Sequence, residues 1–230
     1  MGTLATITTR VQTRIIDTPT AIQDEVTGLI NAAMHKLQTK HNFKVMETLL
    51  AASTTVDTRV LTTLPSDFKE WRGKPYYVRD EGDRQRMVWA AARGDLTSYI
   101  DEDDDSFPMV LLVSEPTDTG AANIEVWPLP DGNSDYDDGE YRIKMPYYRY
   151  LPALAADGDT NWFTVNAEDW LVNQAVAEGF FLDWDEERAT VWAQRAQLEL
   201  SEVIGRDKKY RLSTVETLVP HQGPFEWPME

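Results

Sequence analysis

Residues 166–205, NAEDWLVNQAVAEGFFLDWDEERATVWAQRAQLELSEVIG, decide the fold. Proline blocks helix interiors, and none lies between Asp157 and Val219. Trp170, Leu171, Ala175, Val176, Gly179 and Phe180 recur at the spacing of one apolar helix face. Asn166, with Asp169 three positions on, has the form of a capping box. Asp185-Glu186-Glu187 opens a second helix, with acids at the positive end of its dipole. Its apolar face is Ala189, Trp192, Ala193, Ala196, Leu200 and Val203, and Gly205 reads as its C-terminal cap. That second helix is about 30 Å long. Beyond Lys209 the chain turns rich in Pro, Thr and Val without a helical period, which reads as an extended tail.

The N-terminal flank is helical too. Leu4, Ile7, Val11 and Ile15 mark a first helix over about Leu4 to Asp17. Thr18-Pro19 reads as N-cap and first position of a second one, reaching about Lys40. Its face is Ile22, Val26, Leu29, Ile30, Ala33, Met34 and Leu37.

Between the flanks the punctuation changes. Eight of the twelve prolines fall between Pro65 and Pro152, which excludes long helices there. Val45–Leu50, Arg59–Leu64, Tyr76–Val78, Met87–Ala90, Met109–Val113, Ile124–Trp127 and Tyr141–Met145 are short strand candidates. Tyr141, Ile143 and Met145 alternate with Arg142 and Lys144, as in a strand with one wet face. Asp131-Gly132 and Asp138-Gly139 suggest a long hairpin joining the last two strands. The expected fold is therefore α+β: a bundle of about four helices, an inserted small β domain and an extended tail. The expected boundaries are 1–42 with 151–206 for the bundle, 43–150 for the insertion and 207–230 for the arm.

Composition narrows the function. The 230 residues include no Cys, which excludes disulfides, Cys-ligated metals and a Cys nucleophile. No apolar run reaches the roughly 18 residues of a membrane helix, so no membrane partner is expected, and Met1–Arg10 shows no signal-peptide core. Lys and Arg number 22 against 39 Asp and Glu, a net charge of −17 that repels nucleic acid phosphates. The charge is uneven: residues 1–100 carry 13 basic and 11 acidic side chains, net +2, whereas 101–230 carry 9 and 28, net −19.

Signatures of chemistry are sparse. Phosphate-binding glycine loops and the nucleophile-elbow motif are absent, so no cofactor is expected. His35, His41 and His221 form no ligand spacing. Asp101, Glu102, Asp103, Asp104 and Asp105 make the densest charge run, an exposed loop or a surface that repels polyanions. Asp131, Asn133 and Asp135 match calcium-loop positions in part, and Asp157, Asp159, Asn161 and Glu168 match better, but both lack the Gly of the turn. Two readings therefore stand as alternatives to a structural protein: a carboxylate-dependent cell-wall hydrolase and a calcium-stabilised binding module. Trp127, Trp170 and Trp192 sit in apolar stripes and read as core. Trp227 lies in the tail near Phe225, with Leu212, Val215, Leu218 and Val219 before it, and suits a docking anchor.

The order of several short motifs resembles a known family. Leu64-Pro65-Ser66-Asp67-Phe68 with Trp71, Val126-Trp127-Pro128-Leu129-Pro130-Asp131, and Tyr147-Tyr148-Arg149-Tyr150-Leu151-Pro152 resemble the β region of tailed-phage head–tail adaptors. Asp159-Thr160-Asn161-Trp162, Asp169-Trp170-Leu171 with Ala175 and Ala177, and Asp185-Glu186-Glu187-Arg188-Ala189 with Trp192 are similar to that family's helical return. The similarity runs from about Thr18 to Tyr210 and is nearest to the adaptors of short-tailed phages, called tail tubular protein A or tail accessory factor. The Asp101–Asp105 loop departs from that pattern. The resemblance implies a non-enzymatic virion protein at the head–tail junction, assembled in the host cytoplasm. It implies a ring of about twelve copies beneath the portal protein, receiving a tail nozzle or next tail component on its other rim. Genomic DNA would pass through without specific binding. The arm reaching the portal would carry Tyr210, Leu212, Val215, Leu218, Val219, Phe225 and Trp227. Asp101–Asp105, Asp185, Glu186 and Glu187 are the acidic candidates for the channel or surface, and no metal or catalytic residue is implied.

Overall fold

Hydrophobic periodicity sets the helices and non-local pairing sets the strands. The computed structural model describes residues 2–78, 84–90, 105–114, 122–134 and 139–214, with backbone alone for Gln85, Asp105, Ser106 and 212–214. The protein is α+β and divides into two compact units, Met1–Lys44 with Ala153–Glu230, and Val45–Pro152.

In the helical unit, α1 (Leu4–Arg14) buries Leu4, Ile7 and Val11, and the Thr3 side chain caps it by accepting from Thr6 N. The helix expected from Thr18 to Lys40 is two pieces. The Thr18 hydroxyl donates to Ile15 O at 2.7 Å, closing the turn after α1 instead of capping a new helix. Pro19 precedes α2 (Thr20–Asp24), and Glu25 leaves the helical region before α3 (Val26–Lys40) begins. The apolar face of α3 is buried as its period requires, from Val26 to Leu37.

Two further short-range expectations shift. The capping box belongs to Asn161 and not to Asn166: Asn161 Oδ1 accepts from Phe163 N and Thr164 N, and Thr164 Oγ1 accepts from Asn161 N. It starts α4 (Trp162–Asn166), a single turn before α5 (Glu168–Leu182). Helix α5 is buried almost all round and contacts α1, α3 and α6, the place a helix without a wet face must occupy. Its buried amides are satisfied: Arg14 donates to Asn173 Oδ1, Asn173 Nδ2 to Glu199, and Gln174 Nε2 to Glu178. A Cβ at Gly179 would stand 3.4 Å from Ile15 and 3.5 Å from Leu29, ordinary contact distances, so α5 packs closely there without requiring glycine. The last helix, α6 (Glu186–Thr214), spans 29 residues and passes straight through Gly205. The bundle thus has six α-helical pieces among the described residues rather than about four.

The β unit holds β1 (Glu47–Ser53), β2 (Val60–Thr63), β3 (Phe68–Trp71), β4 (Tyr76–Val78), β5 (Arg84–Arg86) and β6 (Val88–Ala90). After these come β7 (Asp105–Ser106), β8 (Val110–Val113), β9 (Asn123–Trp127), β10 (Leu129–Pro130) and β11 (Arg142–Arg149). One sheet runs β1-β11-β4-β5, with β3 also on β11; a second runs β2-β9-β8-β6; β7 pairs with β10. Tyr77, Met87, Leu111, Ile124, Val126, Tyr141, Ile143 and Met145 form the buried cluster of this unit. The alternation from Tyr141 through Met145 is inward and outward as read.

The long hairpin is not formed. β9 lies in the second sheet, whereas β11 pairs antiparallel with β1, ninety-odd residues earlier, from Glu47↔Tyr148 to Ser53↔Arg142. Thr54 N donates to Tyr141 O and Tyr141 N to Thr54 Oγ1, which pins the start of β11 to the end of β1. The two turn signals were real, with positive φ at Gly132 and Gly139, but they steer a connection between sheets. Strands β3, β5, β7 and β10 lie outside the expected set because each is too short to show an alternation. The motif pieces around Asp67 and Tyr147 meet in space: Tyr147 Oη donates to Asp67 at 3.1 Å, Tyr150 N donates to Asp67 O, and Phe68, Trp71 and Tyr147 pack ring on ring.

Candidate functional site

The turn between α5 and α6 carries an exposed aromatic in a costly conformation. Helix α5 ends in a Schellman arrangement, with Trp184 N donating to Phe181 O and Asp185 N to Phe180 O. The residue after the cap must then be left-handed, a position glycine fills best. Here it is Trp184, at φ +60°. Trp184 is 88% exposed, so no packing repays the backbone strain. Phe181 at 62% and Leu182 beside it, and Ile16 at 69% in the turn after α1, are exposed as well. Arg188 ties the two turns together, 3.2 Å from Asp185 and 3.8 Å from Asp17, with its guanidinium over the Phe180 ring. An apolar group of this kind, held by a rigid hairpin, is what a docking surface offers. The sequence reading passed over Trp184; the signal available was a bulky residue between two acids, where a helix ends and another begins.

We expect Trp184→Gly to raise stability by about 1 kcal/mol in urea denaturation, by relieving the left-handed strain. A loss of stability would show that the indole contributes packing in the isolated chain.

The C-terminal end of α6 is an anchor and not an extended segment. Asp207 is fully buried and accepts from Lys44 N at 2.7 Å, from Arg211 Nε at 2.9 Å and contacts His41 Nε2 at 3.2 Å. Arg211 also donates to Asn42 O, and Arg206 to Asn166 O. These bonds hold α6 helical past Gly205, whose propensity cost of about 1 kcal/mol they exceed. The boundary expected at 207 is therefore corrected: Tyr210, half-exposed, and Leu212 belong to α6. Val215, Leu218, Val219, Phe225 and Trp227 lie outside the described residues.

The acidic candidates divide likewise. Asp101 to Asp104 lie outside the described residues, and Asp105 opens β7. Asp185 caps α6, accepting from Arg188 N, while Glu186 and Glu187 stand exposed in its first turn. Of the residues weighed as calcium ligands, Asp135 lies outside the described residues, and Asp131, Asn133, Asp159, Asn161 and Glu168 have other work. Asp131 accepts from Tyr141 Oη at 2.6 Å and from Asn133, and although its burial opposes ionisation these bonds hold its carboxyl below the usual range. Asp159 accepts from Ala155 N and Ala156 N, Asn161 caps α4, and Glu168 pairs with Arg10 at 2.5 Å. Among the described residues no cluster of acids and histidines could hold a metal ion.

Of the three tryptophans read as core, Trp127 and Trp170 are buried, but Trp192 is half-exposed between the guanidinium groups of Arg14 and Arg195. Near it, Glu199 is the carboxylate that comes nearest to an enzymatic acid. Burial pushes its pKa up, the Asn173 amide pulls the other way, and Oε2 has no hydrogen-bond partner among the described residues. The adjoining cavity of about 170 Å³, lined by Asp169, Glu199, Glu202 and Arg206, is smaller than the ~300 Å³ at which ligand pockets begin. Because the folded chain holds the Glu199 proton more tightly than the unfolded chain, ionisation costs stability above the folded pKa. Stability is regained as pH falls through that pKa toward the unfolded value. Glu199→Gln should therefore be more stable than the native chain at neutral pH by about 0.5 kcal/mol, with the gap closing in acid melts.

The chain belongs to the SU10 adaptor protein family, whose model matches residues 2–218. That family is one of phage adaptors, structural components of the virion. No curated protein sequence matches the chain.

Proposed function

We propose that the chain works as the adaptors of short-tailed phages do, as a ring beneath the portal that joins capsid to tail and continues the DNA channel. The observation that carries this reading is the family match over 2–218, nearly the whole chain. The hairpin tip around Trp184 supports it, as an apolar surface that an assembly would cover. In this reading the ring has about twelve copies, the next tail component binds its far rim, and the segment carrying Val215, Leu218, Val219, Phe225 and Trp227 reaches the portal as an arm. Tyr210 and Leu212, on α6, form the root of that arm. Asp185, Glu186 and Glu187, with the Asp101–Asp105 run, face the channel or the outer surface, where they discourage DNA from sticking. Twelve chains of −17 bring −204 charges together, so assembly should tighten as salt rises through the screening range.

Electron microscopy or native mass measurement of the protein mixed with the portal tests the proposal. Closed rings or stoichiometric portal complexes are the expected result. Persistent monomers that ignore the portal would overturn it.

A further inference from the structure

We propose that the outward face of the β4–β5 ribbon binds the phosphate backbone of a nucleic acid strand. Opposed residues in an antiparallel pair share a face. Tyr76 stands opposite Arg86 and Val78 opposite Arg84. Tyr77, between them on β4, is buried in the β cluster, so Tyr76, Arg84 and Arg86 point the other way. Lys74, two positions before Tyr76, joins them around a depression of about 580 Å³.

The three cations are exposed, and none has an acidic partner among the described residues. Arg72, a few residues away, shows the contrast, being paired with Glu47 at 3.1 Å. The Arg84 guanidinium stands 5.1 Å over the Tyr76 ring, which orients it without neutralising it. Arg84 and Arg86 are two residues apart, about 7 Å along the strand. On β5, the described edge of its sheet, they present a line of donors suited to successive groups of a linear polyanion.

The described lining favours nucleic acid over an acidic protein surface. It is one tyrosine and three cations, with the half-buried Val78 as the one aliphatic residue of the β4–β5 face, too little for the apolar centre that protein interfaces carry. The net charge of −17 does not forbid the contact. At physiological salt, charges beyond about 8 Å are largely screened, so a phosphate on the ribbon responds mainly to the cations of this face; Asp80, Glu81 and Asp83 of the connecting turn lie outside the described residues. The ribbon also lies in the part of the chain, residues 1–100, that is net +2. The inference rests on the ribbon alone and holds whether or not the chain forms a ring.

The test is fluorescence anisotropy of a labelled single-stranded oligodeoxythymidine with the full-length protein, across about 50 to 200 mM salt. The native chain should bind, with log affinity falling against log salt at a slope of about −2, as three contacts to a single strand require. The triple variant Lys74→Gln, Arg84→Gln, Arg86→Gln should bind at least tenfold more weakly with a slope near zero, at an unchanged melting temperature. Arg84→Lys with Arg86→Lys should keep the slope. If the triple variant does not fold, Arg86→Gln alone is read in its place and should lower the slope by about one third. Absence of binding by the folded native chain, or equal binding by native and variant, would overturn the proposal. So would a variant that binds the oligonucleotide normally but no longer self-associates, which would give the ribbon to the acidic surface of a second copy.

Discussion

Asp207→Ala lowers the stability of the protein by about 3 to 5 kcal/mol, the largest single-residue effect expected here. The carboxylate is fully buried and is the common acceptor for Lys44 N, Arg211 and His41. Removing it takes the Asp207 acceptor from a partly buried backbone N–H and the Asp207 carboxylate from Arg211. Arg211 is partly exposed and can recover some hydration, which places the expected loss nearer the lower figure. For a chain of this length the melting temperature should fall by roughly 6 to 12 °C. Asp207→Asn keeps one acceptor and should lose about half as much. A loss below 1 kcal/mol for the alanine variant would mean that α6 holds its course without this anchor.

The second large effect separates folding from docking. A chain ending at Thr214 keeps Asp207 and Arg211 and should melt as the full-length protein does. On the proposed function, it should also fail to bind the portal altogether, since Val215, Leu218, Val219, Phe225 and Trp227 are gone. A chain ending at Gly205 loses the anchor too, and should be destabilised by as much as Asp207→Ala. Pull-down with the portal and a thermal melt on both truncations read the two effects independently. Portal binding by either truncation, once folded, would take the docking role away from the arm.

Gly205 shows why the two truncations differ from what local reading suggests. Glycine after a periodic stretch is a sound stop signal, because nothing local argues against it. The bonds that overrule it come from Asn42 and Lys44, more than 160 residues away in sequence. The same holds for the turn glycines Gly132 and Gly139. Their left-handed φ was legible, but the strands they join were assigned to different sheets by Thr54 and β1. For the candidate site, the acids that open α6 were legible from dipole and cap chemistry. Trp184 and the β4–β5 ribbon were not. Exposure of a tryptophan and the shared face of residues on two strands are properties of packing and register, which composition does not carry.

What the chain determines by itself is the sorting of its segments. Apolar residues at helical spacing, and proline excluded from 157 to 219, dictate the helical flanks, while eight prolines and period-two alternation dictate β structure between them. These are local effects of backbone geometry, so they can be read one window at a time. What only the tertiary structure decided is where each helix stops, which strands are neighbours and which side chains remain outside. Those outcomes turn on bonds between residues far apart in sequence, such as Asp207 with Lys44 and β1 with β11, each stronger than the local preference it overrides.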